Sequence, residues 1–265
     1  MHYRYCFFAR PERPSRSGCE TVILPAALVY EKLCRLSGLE EILVPHVGVR
    51  EGVLFDLGED LTGQRSPEDF HEQEVRSAAV NLGRRFFFDE AHALQVAKLA
   101  FAIFDSLPSV HGLCEGDRRL LLAAALLHDV GQYISYKKHH KHSMYLIAES
   151  ELPGIEPEKL LVVAHVARYH RKGEPSPEHE SFASLAPADR KKVEKLSALL
   201  RIADALDREH GQKVTEMSVQ RAGGEVLLHL KGTSDLLLEL WFLKRKAAYF
   251  TRLFGLTIRV VVEPS

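Results

Sequence analysis

The sequence has little of what would send a chain into a membrane or an oxidising compartment. Four cysteines occur in 265 residues, at Cys6, Cys19, Cys34 and Cys114, and no two form a Cys-x-x-Cys pair. That scatter argues against a thiolate metal site and a disulfide framework, so a reducing, cytoplasmic setting is expected. Long apolar runs are missing too. The longest, Leu120 to Leu127, has eight residues, where a bilayer span needs ~20. The opening MHYRYCFFARPERPSR has no apolar segment of signal-peptide length. Neither sign of charge is in excess: 35 Lys and Arg stand against 36 Asp and Glu, for a net charge of -1. This balance argues against a nucleic-acid partner or a membrane surface, but leaves room for a local basic pocket. Internal repeats and low-complexity tracts are absent as well.

What is present is ordinary globular material, 46% hydrophobic and 27% charged, in a chain long enough to bury a core without a disulfide or a structural metal. Histidine is the exception. Ten of the 14 histidines lie between His92 and His210, and histidine is both the commonest metal ligand and a frequent acid or base. Many could still be surface or hydrogen-bonded core residues.

The pattern along the chain changes twice. Residues 1–72 read as mixed α/β: YRYCFFA, TVILPA, EEILVPH and GVLFDL look like short strands around a helix from Ala26 to Leu36, and the polar stretch 58–72 reads as a linker or loose helix start. Residues 73–211 are helical. Asp89-Glu90 opens a helix with His92, Val96, Leu99 and Ile103 on one face. Asp117 opens a second, apolar all round from Leu120 to Leu127, and Gly131 ends it. Further helices run from His139 to Glu149, from Pro157 to Tyr169 and from Asp189 to Arg208. Residues 212–265 read as a small α/β module: a hairpin turning at Gly223-Gly224, a helix from Asp235 to Phe254 capped by Gly255, and a strand from Leu256 to Val262.

The chemistry centres on His128-Asp129 at the end of the apolar helix. A carboxylate buried there is costly unless a cation or a strong hydrogen-bond network compensates it. Asp204, inside the apolar stretch 196–206, poses the same problem. His92 lies one helix upstream of the pair. Downstream come His139, His140 and His142, then His165 and His170. Basic residues adjoin these histidines. Arg171, Lys172, Lys141 and Arg208 are candidates for holding a phosphate, for which Arg offers a bidentate fork; an ordinary solvated surface is the plainer reading of each.

The order His…His-Asp…His…His…Asp resembles the HD superfamily of metal-dependent phosphohydrolases. The resemblance implies metal ligands at His92, His128, Asp129, His139, His170 and Asp204, with Asp129 also the catalytic residue. His142 and His165 remain rivals of His139 and His170. It implies one or two divalent transition-metal ions (Mn, Fe, Zn or Ni) that activate water and polarise a phosphoryl oxygen.

Asn-Leu-Gly-Arg-Arg before His92, LLHDVGQYISYKKHHKHSMYLI, SELPG, ARYHRK and LLRIADALDR together resemble the C-terminal half of the exopolyphosphatase/guanosine pentaphosphate phosphatase (Ppx/GppA) family. The terminal strands and the helix around Trp241 are similar to that family's last module, and Gly48 to Asp56 to the end of its actin-like ATPase fold. The implied fold class is mainly α: an HD-domain helical bundle between a small N-terminal α/β remnant and a small C-terminal α/β module. Residues 1–60 contain no Gly-rich phosphate loop, which shifts the expected chemistry to the helical module and leaves the N-terminal segment a packing or dimerisation element. The expected activity is hydrolysis of a phosphomonoester, nucleotide or phosphoanhydride, with a small phosphorylated substrate, no membrane or nucleic-acid partner, and a homodimer suggested by the resemblance. The alternative is a non-catalytic module that binds polyphosphate or a nucleotide.

Overall fold

Leu120 to Leu127 is buried on every side in the computed structural model, and the rest of the helical region is arranged around it. The structure describes residues 20–38, 67–232 and 235–263. The chain divides into two units, Met1–Leu61 and Thr62–Ser265.

Within the first unit the described element is α1, Glu20–Ser37. The Thr21–Ala26 run, expected to be a strand, is therefore helical. A short apolar run carries no periodicity that separates strand from helix, and here it continues the helix expected from Ala26. The other three expected strands lie outside the described residues.

The second unit begins with α2, Pro67–Arg85, so the polar stretch expected as a linker or loose helix start runs directly into a helix. Next come α3 (Glu90–Ser106), α4 (Pro108–His111) and α5 (Glu115–Leu127). The Asp89 side chain caps α3 by accepting the His92 N–H at 3.1 Å. In α5, Asp117 occupies the third position rather than the first and accepts the Cys114 N–H at 3.1 Å. After α5 the chain makes a single 3-10 turn, Val130–Tyr133. It continues through α6 (His139–Ala148), α7 (Pro157–Arg168), α8 (Glu180–Ala183) and α9 (Pro187–Ala205). Proline at the first position starts α7 and α9, where its missing N–H is no loss. Central α5 packs against α2, α3, α7 and α9.

The C-terminal module is β1 (Val214–Ala222), β2 (Glu225–Gly232), α10 (Leu237–Phe254) and β3 (Thr257–Glu263). β1 and β2 form an antiparallel hairpin with Met217 opposite Leu230; β3 returns through α10 to lie parallel to β2, with Val260 opposite Leu228. The alternating Val226, Leu228 and Leu230 are buried. Gly255 takes the left-handed conformation behind α10 at φ 68°. The module packs on the bundle, α10 against α9 and β1 against α3. The fold is thus mainly α with a small C-terminal α/β module. Among the described residues no helix is long and apolar enough to cross a membrane.

Gly131 does not cap α5, as the sequence suggested. It sits inside the 3-10 turn, and its role is closeness. A Cβ there would lie 2.2 Å from the His139 carbonyl oxygen and 2.3 Å from the Ser143 nitrogen. The absence of a side chain lets the first turn of α6 rest on the turn that follows His128-Asp129, where the Gly131 N–H donates to Ser143 Oγ at 2.9 Å.

Candidate metal centre

Five helices or helix ends deliver the candidate side chains to one place. His92 comes from the first turn of α3, His128 and Asp129 follow α5, His139 opens α6, His170 follows α7, and Asp204 lies in the last turn of α9. All but Asp129 are buried, and Asp129 is largely so.

The hydrogen-bond partners fix the tautomers. His128 Nδ1 lies 2.7 Å from the Ala125 carbonyl, His139 Nδ1 3.1 Å from the Tyr136 carbonyl and His170 Nδ1 2.6 Å from the Ala167 carbonyl. Each carbonyl only accepts, so each Nδ1 donates. His92 Nδ1 likewise meets the Asp207 carboxylate at 2.8 Å. In the neutral rings the four Nε2 atoms are then bare lone pairs. They point at one another: His92 to His128 at 3.2 Å and His139 to His170 at 3.3 Å. Two lone pairs at such a distance repel, and the arrangement calls for a cation between them.

The carboxylates face the same lone pairs. Asp129 Oδ1 lies 3.0 Å from His139 Nε2 and 3.4 Å from His170 Nε2, and its Oδ2 3.8 Å from His128 Nε2. Oδ1 is buried yet accepts no hydrogen bond, as expected if the nearby nitrogens carry no proton. Asp204 Oδ1 lies 3.7 Å from His128 Nε2 and 3.9 Å from His92 Nε2. Among the described residues three donor groups could hold an ion: His92–His128–Asp204, His128–Asp129–His170 and His92–Asp129–His210. Imidazole with carboxylate suits a divalent transition metal, so the residues present fit the implied cofactor.

The electrostatics agree. Burial alone would raise the Asp129 carboxyl, but His128, His139 and His170 outweigh it and hold it well below the usual range. Asp204 is lowered despite its burial by Lys246, His170 and His128. His128 and His170 are pushed down chiefly by burial. Burial also acts against the charged form of His92, but the carboxylates of Asp207, Asp204 and Asp129 raise it on balance. Carboxylates held ionised face imidazoles of which two, His128 and His170, are pushed toward the neutral form by burial, so the pocket is rich in electron-pair donors.

The rival His165 lies apart. His165 turns its Nε2 to the Ser181 carbonyl at 3.0 Å and stacks on Tyr169; burial first, then Arg168, lowers its pKa to about 4. Neither His142 nor His139 belongs to the three donor groups, but His139 Nε2 comes within 3.0 Å of Asp129 Oδ1 and 3.3 Å of His170 Nε2. Of the basic candidates, Arg171 and Arg208 line a cavity of about 90 Å³ together with Asp129, Gln132, Tyr136, His139, His170, Asp204 and His210. Lys141 lines a neighbouring cavity instead. Lys172 is exposed and lines neither.

Three residues of the centre escaped sequence reasoning. Asp207 holds His92 and accepts the Gln212 N–H at 2.7 Å. The His210 ring stacks on His92 at 3.6 Å and bonds the helix-capping Asp89 at 2.9 Å. Lys246 reaches in from α10, with Nζ 3.3 Å from Asp204 Oδ2 and a further hydrogen bond to the His170 carbonyl. Asp207 carried a signal, a second acid three residues after Asp204. Lys246 carried none.

Comparison with known proteins adds a family. Residues 75–245, more than half of the chain, match the family described as Ppx/GppA phosphatase, domain III. A curated relative, the guanosine-5'-triphosphate,3'-diphosphate pyrophosphatase of Pseudoalteromonas translucida (strain TAC 125), is 32% identical over 130 residues, covering 46% of this chain. The aligned stretch is 23% of that relative's length, so the match concerns one part of a longer protein.

Proposed function

The chain belongs to the Ppx/GppA phosphatase family, through its domain III, and from that premise we propose that it is an HD-type, metal-dependent phosphohydrolase whose reaction takes place at the histidine cluster. The observation that carries the reading is the convergence of four histidine Nε2 atoms and two carboxylates. A scaffold has no use for such an arrangement, because lone pairs packed together without a cation repel.

His92, His128 and Asp204 would hold one ion and His139 and His170 a second, with Asp129 offering one oxygen to each side. When bound, divalent metal supplies Lewis acidity toward a phosphoryl oxygen and lowers the pKa of water. The protein's own groups do the rest. Asp207 keeps the proton of His92 on Nδ1 and so its lone pair on the site. Lys246 occupies Asp204 Oδ2, which leaves Oδ1 for the cluster. Arg171, 5.4 Å from the Tyr136 ring centre, and Arg208, 4.6 Å from that of Phe242, stand at the cavity wall as donors for a phosphoryl group. The buried walls reduce the competing hydration of an anion held there.

The reading is tested by hydrolysis of p-nitrophenyl phosphate and pyrophosphate after reconstitution with Mn, Fe, Zn or Ni. Metal-dependent turnover that Asp129→Ala abolishes, in protein whose circular dichroism is unchanged, is the expected result. Metal uptake without turnover on either substrate would favour the alternative of a non-catalytic phosphate-binding module.

A further inference from the structure

A second cavity, of about 150 Å³, is lined by His140, Lys141, Arg168, Tyr169, Gly173 and His179. The two cavities are separated by neighbours in sequence. His139 and His170 face the first, and His140 and Tyr169 the second; the His139 and His140 rings meet edge-on at 5.9 Å.

We propose that this second cavity is an oxyanion site, distinct from the histidine cluster, that takes a phosphoryl group. Charge is the first reason. Among the described residues neither Arg168 nor Lys141 pairs with a carboxylate. Arg168 Nη1 meets only the Ser181 hydroxyl at 3.0 Å and the Met144 sulfur at 3.5 Å, and its guanidinium lies 5.3 Å from the Tyr169 ring centre. Every one of those partners is uncharged, and the remaining guanidinium donors have no protein acceptor among the described residues. The nearby acid, Glu174, is already paired with Arg252. Two cations at one concave surface, uncompensated, attract an anion, and Arg offers a fork matched to its oxygens.

The second reason is the wall. Tyr169 is buried, and its hydroxyl is engaged by His179 Nδ1 at 2.8 Å, so that side is fixed in advance. His140 adds a buried Nδ1 with no hydrogen-bond partner. A rigid surface with cations and an unused polar atom binds without a large ordering cost.

The test is calorimetric and does not depend on the metal centre. The 265-residue chain, stripped of metal by chelation and shown by circular dichroism to be folded, is titrated with inorganic phosphate and with pyrophosphate. One saturable site per chain is expected, weakened roughly tenfold or more in Lys141→Gln and in Arg168→Gln, less in Arg168→Lys, which keeps the charge. Lys141 is exposed, so its replacement leaves the fold intact. Asp129→Ala should bind phosphate like the parent; this separates the inference from the proposed hydrolytic centre. Tighter binding of pyrophosphate would assign the site to the phosphoryl end of a larger ligand, and tighter binding of phosphate to the free ion. Absence of saturable binding of either probe, or binding that Lys141→Gln leaves untouched, would overturn the proposal.

Discussion

The two sides of the histidine cluster are built differently. On the inner side, His92 and His128 are fully buried, and their outward nitrogens are held by the Asp207 carboxylate and the Ala125 carbonyl. Asp204 completes that side and is itself held by Lys246. On the outer side, His139 and His170 line the open cavity with Arg171; both rings rest on backbone carbonyls, and Arg171 Nη1 also comes within 3.4 Å of His139 Nδ1. A carboxylate behind an imidazole makes it a stronger donor than a carbonyl does. Under the proposed function, ion retention falls to the inner side and substrate contact to the outer side, with Asp129 common to both.

The largest effect is expected where the sides meet. Asp129→Ala should lower phosphohydrolase turnover on the order of 10³-fold or more, beyond the ~10–100-fold typical of an outer partner; p-nitrophenyl phosphate kinetics measures it. Gly131→Ala should separate the sides. Its new Cβ meets the backbone of α6, which cannot give as a flexible side chain would, at a cost of roughly 1–3 kcal/mol. Thermal denaturation should show a lower Tm, and metal analysis the loss of the outer ion before the inner one. Asp207→Asn touches the inner side alone and should weaken metal affinity there by ~10–100-fold, read by competition with a chromophoric chelator.

The smallest effect concerns a histidine outside the cluster. His165 has its pKa lowered from 6.5 to about 4 by burial and Arg168, so its native form is neutral and the unfolded chain takes up the proton first. Its contribution is intact above the unfolded value and is lost as pH falls from 6.5 toward 4, up to about 3 kcal/mol at ~1.4 kcal/mol per unit. His165→Phe should flatten the pH dependence of urea unfolding in that window. An unchanged slope would show that the loss comes from other groups.

Much of this was legible because the signals are local. Asp89 before an apolar stripe, Pro157 at a helix start, and Gly223-Gly224 and Gly255 at turns each act within a few residues, and the elements follow. His139 and His170 were open against His142 and His165, since spacing on a helix does not say which histidine faces inward. The structure brings the first two together at 3.3 Å and turns His165 to Ser181. What could not be read is long-range. Lys246 lies 42 residues from Asp204 in sequence and reaches it only because α10 packs on α9. Gly131 looked like a helix stop because glycine often is one, and only the approach of α6 shows otherwise. Thr21–Ala26 has too few residues to display a period.

The central claim is that the converging nitrogens exist to hold metal. Elemental analysis by mass spectrometry of the purified chain, beside Asp129→Ala, tests it most directly. The account predicts about two transition-metal ions per chain, the count of a two-ion hydrolytic site, and loss of at least the outer ion in the variant. A folded protein that takes up none, even after reconstitution with Mn, Fe or Zn, would contradict it.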